Sequence, residues 1–426
     1  MTPTRFDALI PPCPFGDYVR DVFPVGAGLQ DDAEGDTPDT GYMRIVNGVQ
    51  EIDFLSYCGT LTNAGFICCF ERDAEEGLYR EFYKDENLVY AYFIRAEGRI
   101  RVILDNASLR LPDFEADKQK ADRFNNTALM QYSLHYAKMI KGYSCDCGML
   151  YAIRTRSGEL ILIDGGEMEQ ATDAAVADCA EKLRLLTGTR KLTVAAWYCS
   201  HPHNDHIDFF LKLLRVLGDE LELKRVMFNF PSHRLHGLSP YVGDCRRRIK
   251  EHSPDVKFLQ LHAGMTFTLD GVETEVLHTH EDSLLPGGYD EHGGLYNGTN
   301  ETCAVVRFTY EAGKSLLLLG DVGDSVADVL MTRYPKLTCT YLQASHHCIN
   351  RVRRIYQNTS AETVLIPQGQ YNLTRGCKEN YRMLKLIYGR KRCCDGDETR
   401  VFFDTPTGRV AVAFPHVGSE YDGSEI

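Results

Sequence analysis

The chain has no excess of positive charge: 47 lysines and arginines stand against 60 aspartates and glutamates over 426 residues, a formal net charge of −13. Neutralising the phosphates of a nucleic acid requires Lys and Arg in surplus, so this balance argues against a long nucleic acid as partner. The clusters Arg246-Arg247-Arg248 and Arg351 to Arg354 read as solvated faces. No apolar run approaches the ~18 residues that cross a bilayer, which speaks against a membrane partner. Met1 to Pro24 lacks a basic stretch followed by an apolar one, so no export signal is expected. The 15 cysteines are scattered, with Cys68-Cys69 and Cys393-Cys394 adjacent and Cys145-x-Cys147 too tight for a CxxC grip. Free thiols in a reducing cytoplasm are the expectation. Neither an internal repeat nor a flavodoxin-type phosphate loop is visible.

What is present is a soluble composition, 43% hydrophobic and 25% charged, which excludes a disordered chain. The length allows two domains. Residues 1 to about 40 are rich in Pro, Gly and Asp and predict an extended arm. Short apolar runs then follow at Tyr42 to Val46, Phe66 to Phe70, Leu88 to Ile94 and Ile100 to Leu104, the last two about a turn at Arg95 to Arg99. Residues 1–125 therefore read as an N-terminal extension with a small α+β accessory domain. Asp113 to Arg123 is a charged linker with helical character.

From residue 126 to 426 the rhythm is α/β. Strands at Gly148 to Arg154 and Glu159 to Ile163 lead to Asp164-Gly165-Gly166, and a helix at Thr172 to Leu186 follows. Strand Leu192 to Tyr198 delivers Ser200-His201-Pro202-His203-Asn204-Asp205-His206, and a second helix carries Phe209, Phe210, Leu213 and Leu214. Further strands are expected at Cys303 to Tyr310, Ser315 to Leu319 and Cys339 to Ala344, and a C-terminal hairpin about Pro406-Thr407-Gly408. Pro286 to Gly298 is a Gly-rich interruption.

Three imidazoles and a carboxylate within six residues, fixed at a strand end, suit zinc or another borderline divalent ion. Three more apolar strands end in similar chemistry: Ile163 at Asp164, Leu319 at Gly320-Asp321, and Ala344 at His346-His347. If these strands lie side by side in two packed sheets, their ends converge at one edge, where ligands gather in open α/β architectures.

With those residues the sequence resembles the metallo-β-lactamase superfamily, over roughly Gln131 to Pro415. The carrying elements are Asp164-Gly165-Gly166, His201-x-His203-x-Asp205-His206, Gly320-Asp321 and His346-His347, in the family's order. Within it the chain looks closest to the hydrolase-like domain of bacterial DNA-uptake channel proteins, through His201 to Ile207, Asn300-x-Thr302 and Leu319-Gly320-Asp321. The resemblance implies an αββα sandwich with one or two metal ions at one edge. His201 and His203 would bind the first ion, Asp205 and His206 the second, and Asp321 would bridge. His346 is preferred as the last ligand of the second ion, with His347 the alternative; the other would touch substrate or shuttle a proton. Asp164 would orient a ligand. Many members carry a further first-ion histidine where this chain has Asn300, a poor zinc ligand; His278 or His280 could replace it, or His278 to Asp282 is an exposed polar loop.

The expected function is that of a metal-dependent hydrolase whose nucleophile is metal-bound hydroxide, with Asp205 and Asp321 as the catalytic carboxylates. Its cofactor would be one or two zinc ions, with manganese or iron as alternatives. The substrate would be a small molecule, a phosphodiester or other ester-like compound; a β-lactam is disfavoured by the missing export signal. An iron-dependent redox enzyme on the same fold, or a degenerate metal-binding interaction protein, are the competing readings.

Overall fold

A computed structural model describes residues 3–24, 41–112, 114, 120–134, 148–231, 241–283, 299–311, 313–405 and 408–414. The strands form three sheets. The first holds β1 (Asp17–Pro24), β2 (Tyr42–Asn47), β3 (Ile67–Asp73), β4 (Gly77–Lys84), β5 (Asn87–Ile94) and β6 (Arg99–Asn106), in the order β1-β2-β6-β5-β4-β3. All its pairs are antiparallel. Helices α1 (Pro3–Leu9) and α2 (Glu51–Asn63) accompany it, with Phe6, Ile10, Phe54, Tyr57 and Leu61 in one core with Val89, Ala91 and Phe93.

The second sheet holds β7 (Thr127–Gln131), β8 (Tyr151–Arg154), β9 (Leu160–Ile163), β10 (Leu192–Tyr198), β11 (Leu221–Leu223), β12 (Arg225–Phe228), β13 (Lys257–Gln260), β21 (Thr399–Thr405) and β22 (Gly408–Phe414). The third holds β14 (Thr266–Leu269), β15 (Val272–His278), β16 (Val305–Tyr310), β17 (Lys314–Leu318), β18 (Leu337–Gln343), β19 (Thr359–Leu365) and β20 (Cys393–Cys394). These two sheets face each other. Ile161 and Ile163 from the second share a core with Val276, Val306, Leu316 and Leu318 from the third. Their sequence neighbours point the other way, as the two-residue period of a strand requires.

Leu160 and Leu162 pack beneath helices α3 (Asp173–Thr187), α4 (Asp208–Leu217) and α5 (Tyr241–His252). Leu317 and Leu319 pack beneath α6 (Asp324–Arg333), α7 (Arg353–Asn358) and α8 (Lys378–Tyr388). The result is a four-layer αββα sandwich. It also explains why these strands read as unbroken apolar runs, since both faces are covered. Helix α3 begins where Thr172 Oγ1 accepts a hydrogen bond from the Ala175 amide at 3.1 Å and stops at Gly188 in the left-handed conformation.

The first sheet docks on the sandwich. Met43, Ile45, Tyr90, Tyr92 and Ile103 join the core between the facing sheets. Buried charges hold the seam: Arg333 pairs with Asp282 at 2.9 Å and Glu97 at 3.1 Å, while Arg101 pairs with Glu97 at 2.8 Å. Tyr92 donates to Asp282 at 2.9 Å.

Several expectations need correction. The expected N-terminal arm is folded over its described part, because Phe6 and Ile10 bury against the first sheet and β1 pairs with β2. Helix α2 and strand β4 escaped the periodicity, α2 because Ile52 and Leu55 are exposed beside its buried stripe, β4 because Arg80 and Glu81 interrupt it with buried charge. Residues 114 and 120–123 of the linker are not helical, and 113 and 115–119 lie outside the described residues. So do Cys145, Cys147, Pro286 to Gly298, Pro406 and Thr407. No disulfide joins the described cysteines, and no described helix is long and apolar enough to cross a membrane.

Candidate metal centre

Strand β9 runs parallel to β10, and β17 parallel to β18. The C-terminal ends of these four strands therefore lie at one edge of the sandwich, and each delivers site residues. The first is Asp164, fully buried and in the left-handed conformation at φ 53°. Its carboxylate accepts from the Ser200 amide at 2.7 Å, from Ser200 Oγ at 2.8 Å and lies 2.7 Å from His206 Nδ1. These contacts hold the Ser200 amide and the His206 ring in place. A Cβ on the next residue, Gly165, would lie 2.4 Å from the Phe210 side chain, so only glycine lets α4 approach here.

Strand β10 carries the histidine loop. His201 and His206 are fully buried and His203 is half-buried. His201 Nε2 and His203 Nδ1 are 3.0 Å apart. Asp321 follows β17 through Gly320, whose φ is 59° and whose added Cβ would meet Cys303 Sγ at 2.9 Å and Ser200 at 3.2 Å. Asp321 Oδ2 stands 3.2 Å from His206 Nε2, 3.5 Å from His347 Nε2 and 3.9 Å from His201 Nε2. His347 Nε2 is also 3.1 Å from Asp205 Oδ2.

Two ligand groups result. Asp205, His206, Asp321 and His347 form one, His201, His203 and Asp321 the other, and Asp321 belongs to both. His347 completes the four-residue group rather than the preferred His346. The reason is the backbone: His346, His347 and Cys348 have φ of 47°, 50° and 70°, a left-handed turn that aims the second imidazole inward. His346 stays partly exposed at 23%, 3.7 Å from Asp321 Oδ2, with its Nε2 3.3 Å from Asn300 Nδ2. Left-handed residues of this kind persist only where their surroundings hold them. Here Gln368 Nε2 donates to the His347 carbonyl at 2.9 Å, Asn380 Nδ2 to that of Cys348 at 3.0 Å, and the Ser345 amide to Tyr356 OH at 2.9 Å.

His278 and His280 do not replace the missing histidine. Both are buried, but neither belongs to a ligand group among the described residues. His278 lies against the Cys303 carbonyl at 3.3 Å and Ser283 Oγ at 2.8 Å. Residues 278 to 282 are also no exposed loop: they are buried, with Asp282 accepting from Tyr92 of the first sheet and Glu281 paired with His262 of the sandwich at 2.9 Å.

The donors fit an ion. His206 Nε2 and both Asp321 carboxylate oxygens are buried without a hydrogen-bond partner, a costly state unless something else binds them. Two donors ~2.1 Å from one zinc at the tetrahedral angle stand about 3.4 Å apart, close to the 3.2 and 3.5 Å seen around Asp321. Burial works against charge on His206 and His347, yet Asp321 and its neighbouring carboxylates outweigh it and hold both imidazoles well above their ordinary pKa. Burial also opposes ionisation of Asp321, which His206 and His347 overcome, holding it well below the carboxylate range. Burial and nearby His206 push His201 well below, and burial also lowers His203, so both favour neutral imidazole, the ligating form.

The loop and its strand-end partners were legible in the sequence. Ser200, Cys303, Gln368 and Asn380 were not assigned roles. Ser200 had a signal, its place directly before the histidines; Gln368 and Asn380 had none, lying 21 residues or more beyond His347 and reaching it only through the fold.

No family model matches the chain, and no curated protein matches it. Among solved structures it is similar to the metallo-beta-lactamase fold protein YhfI from Bacillus subtilis, at 12% identity over 63% of this chain and 95% of that one, TM-score 0.35. It is similar to CmlA, a diiron beta-hydroxylase from Streptomyces venezuelae, at 11% identity over 67% of this chain and 54% of that one, TM-score 0.36. The short form of human tRNase Z aligns at 11% identity over 57% and 92%, TM-score 0.31. At that distance the likenesses say nothing about this chain's chemistry.

Proposed function

We propose that the protein is a metal-dependent hydrolase of the metallo-β-lactamase type, acting on a small phosphodiester or other ester-like substrate. The observation that carries the reading is Asp321, whose carboxylate belongs to both ligand groups at the edge where four strands end. Ions bound there by these residues would lower the pKa of water toward 7 and neutralise charge on the attacked group.

The chain's own residues prepare that chemistry. Asp164 holds the His206 ring through Nδ1, so Nε2 faces Asp321. Asp205, with 22% of its side chain exposed, is the most accessible carboxylate of the group and, held ionised against its burial by His206 and His347, can orient water. His346, 3.7 Å from Asp321, and Asn300 beside it can offer polar hydrogens to a substrate oxygen. A two-ion site favours phosphodiester cleavage, and the negative balance of the chain favours a small substrate over a long nucleic acid.

The donors are nitrogen and oxygen only, a set that suits zinc, manganese or iron. Elemental analysis of purified protein together with a bis(p-nitrophenyl) phosphate assay tests the reading. Bound divalent metal with hydrolysis that His206→Ala abolishes is expected. Stoichiometric iron without hydrolysis would favour a redox enzyme, and metal-free protein of normal stability would remove the enzyme reading.

A further inference from the structure

We propose that the outer face of helices α7 and α8 is a docking surface for an anionic membrane, reached side-on with the metal edge at its rim. The proposal does not depend on the hydrolase reading.

Charge is the first observation. In a chain of net charge −13, residues 349–392 carry ten Lys and Arg against two Glu. Nine of the ten are exposed and Lys385 is half-buried. Of these ten, Arg354 alone has a carboxylate partner among the described residues, Asp328 at 2.7 Å. Exposed arginines elsewhere are neutralised: Arg95 by Glu51, Arg156 by Glu311 and Arg190 by Glu220, each at 2.8 Å. An unpaired cationic excess attracts an anionic surface, and clusters of this size suit acidic lipid headgroups.

The fold gathers what the sequence scatters. Tyr388 OH donates to the Tyr356 carbonyl at 2.8 Å and ties α8 to α7. Helix α8 buries Tyr381, Leu384 and Tyr388, so Lys378, Arg382, Lys385 and Leu386, at helical spacing, form a stripe on its other side. Arg351 and Arg353 stand at the start of α7, and Arg390 to Arg392 follow the end of α8. Asn380 of α8 donates to the Cys348 carbonyl at 3.0 Å, directly after His347, so the face borders the metal edge.

Apolar side chains among the cations favour a membrane over a nucleic acid. Leu386 is 79% exposed, the most of any large hydrophobic among the described residues, and Ile349 and Tyr371 are each 45% exposed. A phosphate backbone leaves such groups in water, whereas the headgroup and acyl boundary takes them in. Tyr371 has one ring face covered by the Arg375 guanidinium, 3.7 Å from its centroid, a pairing of aromatic body and polar tip that suits the interfacial layer. The missing apolar run excludes only a spanning helix, and a peripheral contact needs none.

The test is co-sedimentation of the full chain with vesicles of phosphatidylcholine alone and with a third phosphatidylserine. The protein should pellet with the anionic vesicles, stay in solution with the neutral ones and detach at ~0.5 M NaCl, where surface charge is screened within a few Å. Each cation near an anionic leaflet contributes about fivefold in affinity, so Lys378→Glu with Arg382→Glu should weaken binding at least ~25-fold. Leu386→Ser should weaken it at least about threefold at unchanged charge. Both variants alter outward side chains and should leave thermal unfolding unchanged. No pelleting with either vesicle, equal pelleting with both, or variants that bind like the parent overturn the proposal. Tighter binding to a short single-stranded oligonucleotide than to the anionic vesicles, lost in the double variant and kept in Leu386→Ser, also overturns it and makes the face a nucleic-acid surface. None of these outcomes bears on the hydrolase reading, since the assay reads neither metal nor turnover.

Discussion

Asp164 Oδ2 lies 2.7 Å from Nδ1 of His206, with both side chains fully buried at the ends of adjacent parallel strands. The contact fixes which ring nitrogen is left to face Asp321, 3.2 Å away. Asp164→Asn keeps the shape and the acceptor for the Ser200 amide but removes the charge. Metal affinity should fall ~10–100-fold with little change in fold, read by competition with a chromophoric chelator. Unchanged affinity would mean that Asp164 is only a turn residue.

The neighbouring histidines should behave differently. His347→Ala should lose the ion held with Asp205, His206 and Asp321, seen as a loss of about one metal per chain by elemental analysis. His346→Ala should keep its metal content and, if the ring contacts substrate, raise KM or lower kcat. Equal metal loss from both variants would contradict the left-handed turn that separates them.

Asp105 gives the pH dependence. It is wholly buried, and burial pushes its pKa up to about 6 despite the nearby His262. Because the folded value lies above the unfolded one, the cost of Asp105 is absent at low pH. It grows as pH rises from about 4 through 6 and is then constant. The two-unit difference is on the order of 3 kcal/mol at pH 8. Asp105→Asn should therefore stabilise the protein in urea at pH 8 and have little effect at pH 4.5; a neutral effect at pH 8 would show that the carboxylate is solvated.

The seam between the first sheet and the sandwich rests on buried charge. Arg333 reaches Asp282 and Glu97, and its side chain is only 2% exposed. Arg333→Ala removes the cation paired with Asp282, which keeps the Tyr92 hydroxyl, while Glu97 keeps Arg101; losing one partner of a buried pair typically costs ~3–5 kcal/mol. Urea unfolding should show an earlier midpoint or a separate early transition of the first sheet. An unshifted midpoint would place the stability of the seam in its tyrosines and aliphatic residues alone.

Much of this architecture follows from the order of residues. Leu160 to Ile163 and Leu316 to Leu319 are apolar on successive positions because their two faces meet different cores; the first is followed by Asp164, the second by Gly320-Asp321. That local pattern placed the strands and the residues at their ends; the sandwich, and Asp321 as partner of the histidine loop, were what the family resemblance implied. Three things were not written locally. The choice of His347 over His346 depends on three left-handed residues held by Gln368, just after β19, and Asn380 of helix α8. The role of His278 to Asp282 depends on Arg333, Arg101 and His262, brought from elsewhere to neutralise it. The folding of the N-terminal arm depends on a sheet edge and a core for Phe6 that exist only once β2 to β6 have formed. Periodicity and strand-end chemistry are properties of neighbours along the chain. Side-chain direction in a strained turn and the partner of a buried charge are set by contacts across it, and only the tertiary structure decides them.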